Sequence, residues 1–255
     1  APIIMGLAVE LLHIATLIHD DTIDKAAERR GRVTISNAWS SEIAILVGDY
    51  VFASSATHVC DTKDVRVIRR FSETIMELSK GELMEFIAAN DWRQTRQQYE
   101  QRIYNKTASL FATSAESGAI LSGAPESQIQ ALREYGINLG MAFQVVDDIL
   151  DFEATEEELG KPVGNDLAQG TITLPVILVL ERLGEKGFSG NNPFAALFVR
   201  KKVEANLRRA LEMVRESTAI RDSYFVAAEY RDRAIGSLED VPDSAYKQAL
   251  LEIAD

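Results

Sequence analysis

The chain has 255 residues, of which 46% are hydrophobic and 26% charged, and carries a net charge of -12. That length can bury one large core, and the acidic balance argues against a nucleic-acid binder, which would show a basic stripe. The single Cys60 excludes an intrachain disulfide and fits a reducing compartment. Its place in an apolar helical run predicts an inert, buried thiol.

No basic n-region opens the chain at Ala1-Pro2-Ile3-Ile4. The most apolar stretch, residues 3–18, is interrupted by Glu10 and His13 and falls short of the roughly 20 residues of a membrane span. A soluble, cytoplasmic protein with no transmembrane segment is expected.

In chain order, Leu7, Leu11, Ile14 and Ile18 form a helical stripe that ends at Asp20. Residues 25–34 are polar, contain Gly31 and read as a loop. Helices are expected over 38–60, 65–88 and 99–122, the last closed by Gly123-Ala124-Pro125. A fifth covers 127–152, where Gly136 and Gly140, one turn apart, predict close approach of another helix. Residues 153–171, with Gly160, Pro162, Gly164 and Gly170, read as a loop or short broken helix. A helix over 171–183 tolerates Pro175 in its first turn. Residues 185–193 read as a surface connection, followed by amphipathic helices over 203–217, 219–238 and 243–254. Val33-Thr34-Ile35 is too short for a strand. Without a fixed-period repeat or a linker, the expected fold is all-α, one multi-helix bundle forming a single domain over residues 1–255.

Two Asp-x-x-Asp clusters, each doubled at its first position, stand at the ends of the first and fifth helices: Asp20, Asp21, Asp24 and Asp147, Asp148, Asp151. Positions i and i+4 share a helix face. Like charges at that spacing cost about 0.2–0.5 kcal/mol per pair, and more beside apolar runs. They also oppose the negative end of the helix dipole. Two such arrangements of identical pattern predict a compensating cation. Carboxylates without His or Cys partners suit a hard ion such as Mg2+. His13, His19 and His58 lack zinc-ligand spacing, and His19 is expected to be a structural hydrogen bonder. The run Glu153, Glu156, Glu157, Glu158 lacks an apolar lead-in and reads as a solvated turn. Arg29 and Arg30 offer forks for phosphate, Lys106-Thr107 interrupts a helix of apolar and small residues, and Lys161 lies ten residues past Asp151. The set suggests a metal-bridged diphosphate between helices.

His19-Asp20-Asp21-Thr22-Ile23-Asp24 with Arg29-Arg30-Gly31 resembles the first aspartate-rich motif of the trans-isoprenyl diphosphate synthase family, and residues 143–152, Phe-Gln-Val-Val-Asp-Asp-Ile-Leu-Asp-Phe, resemble the second. Gly48-Asp49-Tyr50, Lys106-Thr107, Gly160-Lys161 and Gly164-Asn165-Asp166 also resemble family residues, so the likeness runs along nearly the whole chain. The resemblance implies an isoprenoid synthase bundle with a central substrate cavity, in a homodimer. It implies a prenyltransferase that joins isopentenyl diphosphate to an allylic prenyl diphosphate of farnesyl or geranylgeranyl type. On that resemblance Asp20, Asp21 and Asp24 hold Mg2+ on the allylic diphosphate, and Asp147, Asp148 and Asp151 hold another ion from the facing helix, three per site with Mn2+ as a substitute. Arg29, Lys106, Thr107, Gln144 and Lys161 contact the allylic diphosphate, and Arg30 the isopentenyl diphosphate. The allylic C–O bond ionises, the isopentenyl double bond attacks the cation, and the released diphosphate takes the proton.

Two departures accompany the likeness. The family's earlier helix with a Gly-Lys-x-Arg motif is not in this chain, which begins 19 residues before Asp20 and is expected to lack the N-terminal helices. Thr171-Ile172 stands where many members have lysine. Ala15 and Thr16, five and four residues before Asp20, are small. In the resembled family that accompanies products longer than farnesyl, and a long-chain product of heptaprenyl or octaprenyl type is expected here, with Leu11, Leu12 and Phe52 shaping the floor; simple helix packing is the alternative. Two other functions are weighed: a non-catalytic or regulatory partner subunit of a heteromeric synthase, and a class I terpene cyclase, whose second metal site the Asp147 cluster does not fit.

Overall fold

The computed structural model describes residues 1–153, 164–184, 192–198 and 203–255. They divide into two compact units, Ala1–Thr74 with Thr113–Arg133, and Ile75–Ala112 with Glu134–Asp255. Residues 156–158 and 160–162, on which the solvated turn and Lys161 were placed, lie outside the described residues.

In the first unit, α1 (Pro2–Ile23) starts on Pro2, whose missing N–H has no partner to lose in a first turn. Its buried stripe is Met5, Ala8, Leu12 and Ala15. It packs on α3 (Ser41–Asp61), whose buried stripe is Ala44, Gly48, Ser55 and Val59. Ala8 and Ala15 on one stripe, and Ala44, Gly48 and Ser55 on the other, let the two helices approach closely. At Gly48 the approach is closest, for a Cβ there would stand 2.2 Å from His19 Nε2.

The expected loop between them contains a small hairpin, β1 (Glu28–Arg29) antiparallel to β2 (Arg32–Val33). Arg30 and Gly31 form its turn with φ of +51° and +73°, both positive as a two-residue type I′ turn requires. The expected helix over 38–60 is two helices, α2 (Ile35–Ala38) and α3. Thr34 caps the first by accepting from Asn37 N–H at 3.3 Å, and Ser40 caps the second by accepting from Ile43 N–H at 3.3 Å. Trp39 closes the first helix, and Ser40, extended and accepting from a backbone N–H three residues on, starts the second.

Two expectations, the length of the first apolar stretch and the burial of Cys60, fail here. α1 runs 22 residues, through the aspartates to Ile23, and both it and α3 are long and apolar enough to cross a membrane by length and composition. In the structure one face of each is buried, while Ile3, Leu7, Leu46 and Tyr50 are exposed. Cys60 is exposed, not buried; it follows Val59, the last residue of the buried stripe, and so points about 100° away from it.

Elsewhere in this unit Arg66, early in α4 (Val65–Ala88), grips Glu126 through both guanidinium nitrogens at 2.6 and 2.7 Å. Glu126 opens α7 (Glu126–Glu153).

The expected helix over 99–122, which runs through residues of both units, is three pieces. α5 (Arg96–Ile103) starts at a capping box formed by Thr95 and Gln98, a π-helical turn spans Tyr104–Ala108, and α6 (Ser109–Leu121) continues. The expected close approach at α7 is observed: a Cβ on Gly136 would lie 2.6 Å from Phe111 O, and one on Gly140 2.5 Å from Ala108 Cα. The chain continues as α8 (Asn165–Gln169), α9 (Leu174–Leu183, Pro175 in its first turn), α10 (Pro193–Phe198), α11 (Val203–Glu216), α12 (Ala219–Ser237) and α13 (Ala245–Ala254). α10 was not expected. Val145, Ile149 and Phe152 of α7 meet Leu167, Leu174, Ile177, Leu180 and Phe194 in one core, which fixes the face of α7 that turns inward. Among the described residues the architecture is all-α apart from the short hairpin of β1 and β2.

Candidate active site

In the first unit the aspartates occupy the end of α1. Asp20 and Asp21 lie in its last turn, and Asp24 caps it, its N–H donating to Asp20 O at 2.8 Å. Asp21 is buried and Asp24 exposed. Beyond Asp24 the chain folds back at Lys25, whose φ is +53°, with Ala26 N–H donating to Asp21 O at 3.0 Å, and Arg29 Nε donates to Asp21 Oδ1 at 2.8 Å. Exposed Arg30 sits on the turn itself. His19 Nε2 lies 3.3 Å from Ile45 O and 3.4 Å from Asp49 Oδ1. One N–H shared between a carbonyl and a carboxylate ties the base of the cluster to α3, as expected of a structural histidine.

The chain-length candidates separate. Leu12 and Ala15 are on the buried stripe that packs on α3. Thr16 is off that stripe and half-buried, its hydroxyl turned back to His13 O at 2.8 Å. Phe52 and Leu11 are half-buried.

In the second unit Lys106 and Thr107 sit on the π-helical turn. π-bulges recur at functional sites, and this one lies so close to α4 that a Cβ on Gly81 would stand 2.6 Å from Lys106 N. Lys106 Nζ is 2.7 Å from Glu85 Oε1 and 3.1 Å from Glu82 Oε1. Burial works against its charge, but Glu85 and Glu82 outweigh burial and hold the ammonium above the ordinary lysine range. Thr107 Oγ1 donates to Gln144 Oε1 at 2.6 Å. The amide thus turns its Nε2 to Asp148 Oδ1 at 2.9 Å and Asp147 Oδ2 at 3.4 Å.

The three carboxylates of the second cluster have different surroundings. Asp147 is exposed. Asp148 is 4% exposed, and burial, with Asp166 second, pushes its carboxyl up to about 8 despite the Gln144 and Tyr99 donors. Asp151 is 1% exposed and accepts from Asn165 N–H at 3.2 Å and Asp166 N–H at 3.1 Å, so it caps α8.

Two residues of this region escaped the sequence reading. Tyr99, fully buried, donates its hydroxyl to Asp148 Oδ2 at 2.7 Å. Buried Arg102 donates to Gln94 Oε1 and to Ile172 O, both at 2.6 Å; the second bond holds the backbone beside Thr171. A buried aspartate needs donors, and a tyrosine two helical turns before Lys106 was an available one.

Among the described residues no three His, Cys, Asp or Glu side chains gather round one ion. The donors are carboxylate oxygens, however, and Mg2+ held by one or two carboxylates with substrate phosphates and water needs no such cage. Exposed Asp147 and the end of α1 fit that mode.

Comparison with known proteins follows the same line. The polyprenyl synthetase family profile matches residues 2–192. Heptaprenyl diphosphate synthase component 2 of Geobacillus stearothermophilus is 38% identical over 250 residues, 98% of this chain and 76% of that protein. The crystal structure of heptaprenyl diphosphate synthase from Staphylococcus aureus superposes with a TM-score of 0.93 at 37% identity, covering 98% of this chain and 77% of that one. Polyprenyl synthase from Caulobacter crescentus CB15, complexed with calcium and isoprenyl diphosphate, gives 0.90 at 34% identity over 98% and 76%.

Proposed function

The chain belongs to the polyprenyl synthetase family and is a prenyl diphosphate synthase, a prenyltransferase; from that premise we propose that it condenses isopentenyl diphosphate with a farnesyl- or geranylgeranyl-type allylic diphosphate into a long-chain trans-polyprenyl diphosphate. The observation that carries the reading is the hydrogen-bonded run from Thr107 through Gln144 to Asp147 and Asp148, with Lys106 next to Thr107. It brings an amide of fixed orientation, a hydroxyl and an exposed carboxylate to one place, with a lysine on the adjoining residue, which is the equipment for a magnesium diphosphate.

In the first unit Asp20, Asp21 and Asp24 would hold Mg2+, and Arg29 would exchange Asp21 for a phosphate oxygen. In the second, Asp147 would hold an ion directly, while Asp148 and Asp151, engaged by protein donors, shape its surroundings. Bound Mg2+ supplies Lewis acidity to the departing diphosphate. Lys106, Thr107, Gln144 and Lys161 hold the allylic diphosphate, and Arg30 the isopentenyl diphosphate. Thr16, off the stripe that packs on α3, and Phe52 would limit the product, with Leu12 and Ala15 behind them. A cytoplasmic homodimer, with three Mg2+ per site, completes the proposal; Cys60 as the single cysteine supports the location.

A heteromeric partner subunit is the second reading, favoured by the name component 2 of the Geobacillus stearothermophilus relative. Incubation with Mg2+, radiolabelled isopentenyl diphosphate and farnesyl diphosphate, followed by sizing of the products, separates the two. Elongation by the chain alone supports the synthase; elongation only with a second subunit supports the partner.

A further inference from the structure

We propose that Tyr99 is a positioning residue for the second aspartate cluster, acting on exposed Asp147 through Asp148 and Gln144; the proposal rests on the prenyltransferase reading above. Tyr99 is 1% exposed, so its phenol cannot touch a substrate and must act through what it holds. It holds Asp148 Oδ2 at 2.7 Å, while Gln144 Nε2 holds the other oxygen, Oδ1, at 2.9 Å. With one donor on each oxygen, the carboxylate plane is fixed. A fixed Asp148 in turn fixes the Gln144 amide, whose Oε1 already accepts from Thr107. The same Nε2 reaches Asp147 Oδ2 at 3.4 Å. The chain of contacts therefore runs from a buried phenol to the one exposed carboxylate of the cluster.

The far end of the chain is itself anchored. α5 is capped at Thr95, and the Arg102 guanidinium lies 5.6 Å from the centre of the Tyr99 ring while bonded to Gln94 and Ile172 O. A tyrosine placed only to fill the core would need any acceptor; Tyr135, also buried, uses the backbone carbonyl of Leu250 at 2.7 Å. Tyr99 instead uses a carboxylate that leads to the cluster. Partners of this kind set ligand orientation in metal sites, and their loss lowers metal affinity about 10- to 100-fold.

The test is Tyr99→Phe against Tyr135→Phe in the full chain, with Asp147→Asn to identify the Mn2+ site concerned. Titration calorimetry of Mn2+ in the presence of inorganic diphosphate should show that site weakened about 10-fold in Tyr99→Phe and unmoved in Tyr135→Phe, at a temperature where all are folded. In turnover, half-saturating Mg2+ should rise in parallel and kcat fall, with KM for isopentenyl diphosphate unchanged. Mn2+ affinity equal in Tyr99→Phe and wild type overturns the proposal, whatever happens to Tm. If Tyr99→Phe does not fold, 3-fluorotyrosine at position 99 keeps the ring and alters the donor; a shifted Mn2+ affinity supports the proposal and an unshifted one overturns it. A wild-type chain that binds Mn2+ with diphosphate but elongates nothing would sink the prenyltransferase reading alone, since the Mn2+ comparison still decides the role of Tyr99.

Discussion

Arg29 and Asp21 are joined across eight residues, Nε to Oδ1 at 2.8 Å, because the chain folds back beyond Asp24 at Lys25, whose φ is +53°, with Ala26 N–H donating to Asp21 O at 3.0 Å. The bond answers a cost built into the sequence, a carboxylate buried at the negative end of an apolar helix. Removing the donor leaves that carboxylate half satisfied, a loss of about 1–3 kcal/mol; the exposure of Arg29 favours the lower figure. Arg29→Ala should therefore lower Tm by about 2–4 °C in calorimetry, and Mg2+ should narrow the gap by giving Asp21 another cation. An equal deficit with and without Mg2+ would show that Asp21 does not meet the ion.

Lys106 stands between Glu85 and Glu82, which keep it protonated, so nothing in the rate profile should titrate from this lysine up to about pH 10, where an ordinary one begins to lose its proton. Those carboxylates also compete with any diphosphate for the ammonium. Lys106→Ala should reduce kcat/KM for the allylic diphosphate about 100-fold or more, as loss of a preorganised charge contact does. Glu82→Gln, which removes the longer of the two contacts, should tighten binding of inorganic diphosphate in a competition assay. Unchanged affinity in Glu82→Gln would mean that the pair is a structural clamp.

The apolar periodicities that place α1, α4 and α7 are legible because packing follows helix period, and the aspartate clusters are legible because their spacing is costly without a cation. The pieces that were not legible depend on contacts between distant residues. Lys106 reads as an interruption in a helix, but its π-helical turn depends on Gly81, 25 positions earlier, lying against its backbone. Asp151 reads as a metal ligand, but it caps a helix that starts 14 residues later at Asn165. Tyr99 meets Asp148 across 49 residues. Cys60 reads as buried from its apolar neighbours, but a single residue of rotation past Val59 exposes it.

Asp148 sets a pH dependence of stability. Its carboxyl is pushed up to about 8 in the folded chain from 3.8, so the folded state binds the extra proton between those values. Stability from this group is full below about pH 4 and is lost as pH rises through 8. Without divalent cations, Tm should fall from pH 6 to pH 8.5, and Asp148→Asn, which is neutral throughout, should flatten that fall. A wild-type Tm that rises over the same interval as in the variant would place the titration elsewhere.

Product length tests the split between Ala15 and Thr16. Ala15 belongs to the small-residue stripe on which α1 and α3 pack, and overpacking a buried position costs about 1–3 kcal/mol. Thr16 is half-buried, lies off that stripe, and spends its hydroxyl on His13 O of the same helix. Ala15→Phe should therefore lower Tm as well as activity, which confounds any change in product. Thr16→Phe should keep Tm near wild type and shift the radiolabelled products to shorter chains, because the ring stands one turn before Asp20 on the same face. If Thr16→Phe leaves the product distribution unchanged while the enzyme stays active, the floor is elsewhere, and Phe52→Ala, which should lengthen the product, is the next change to make.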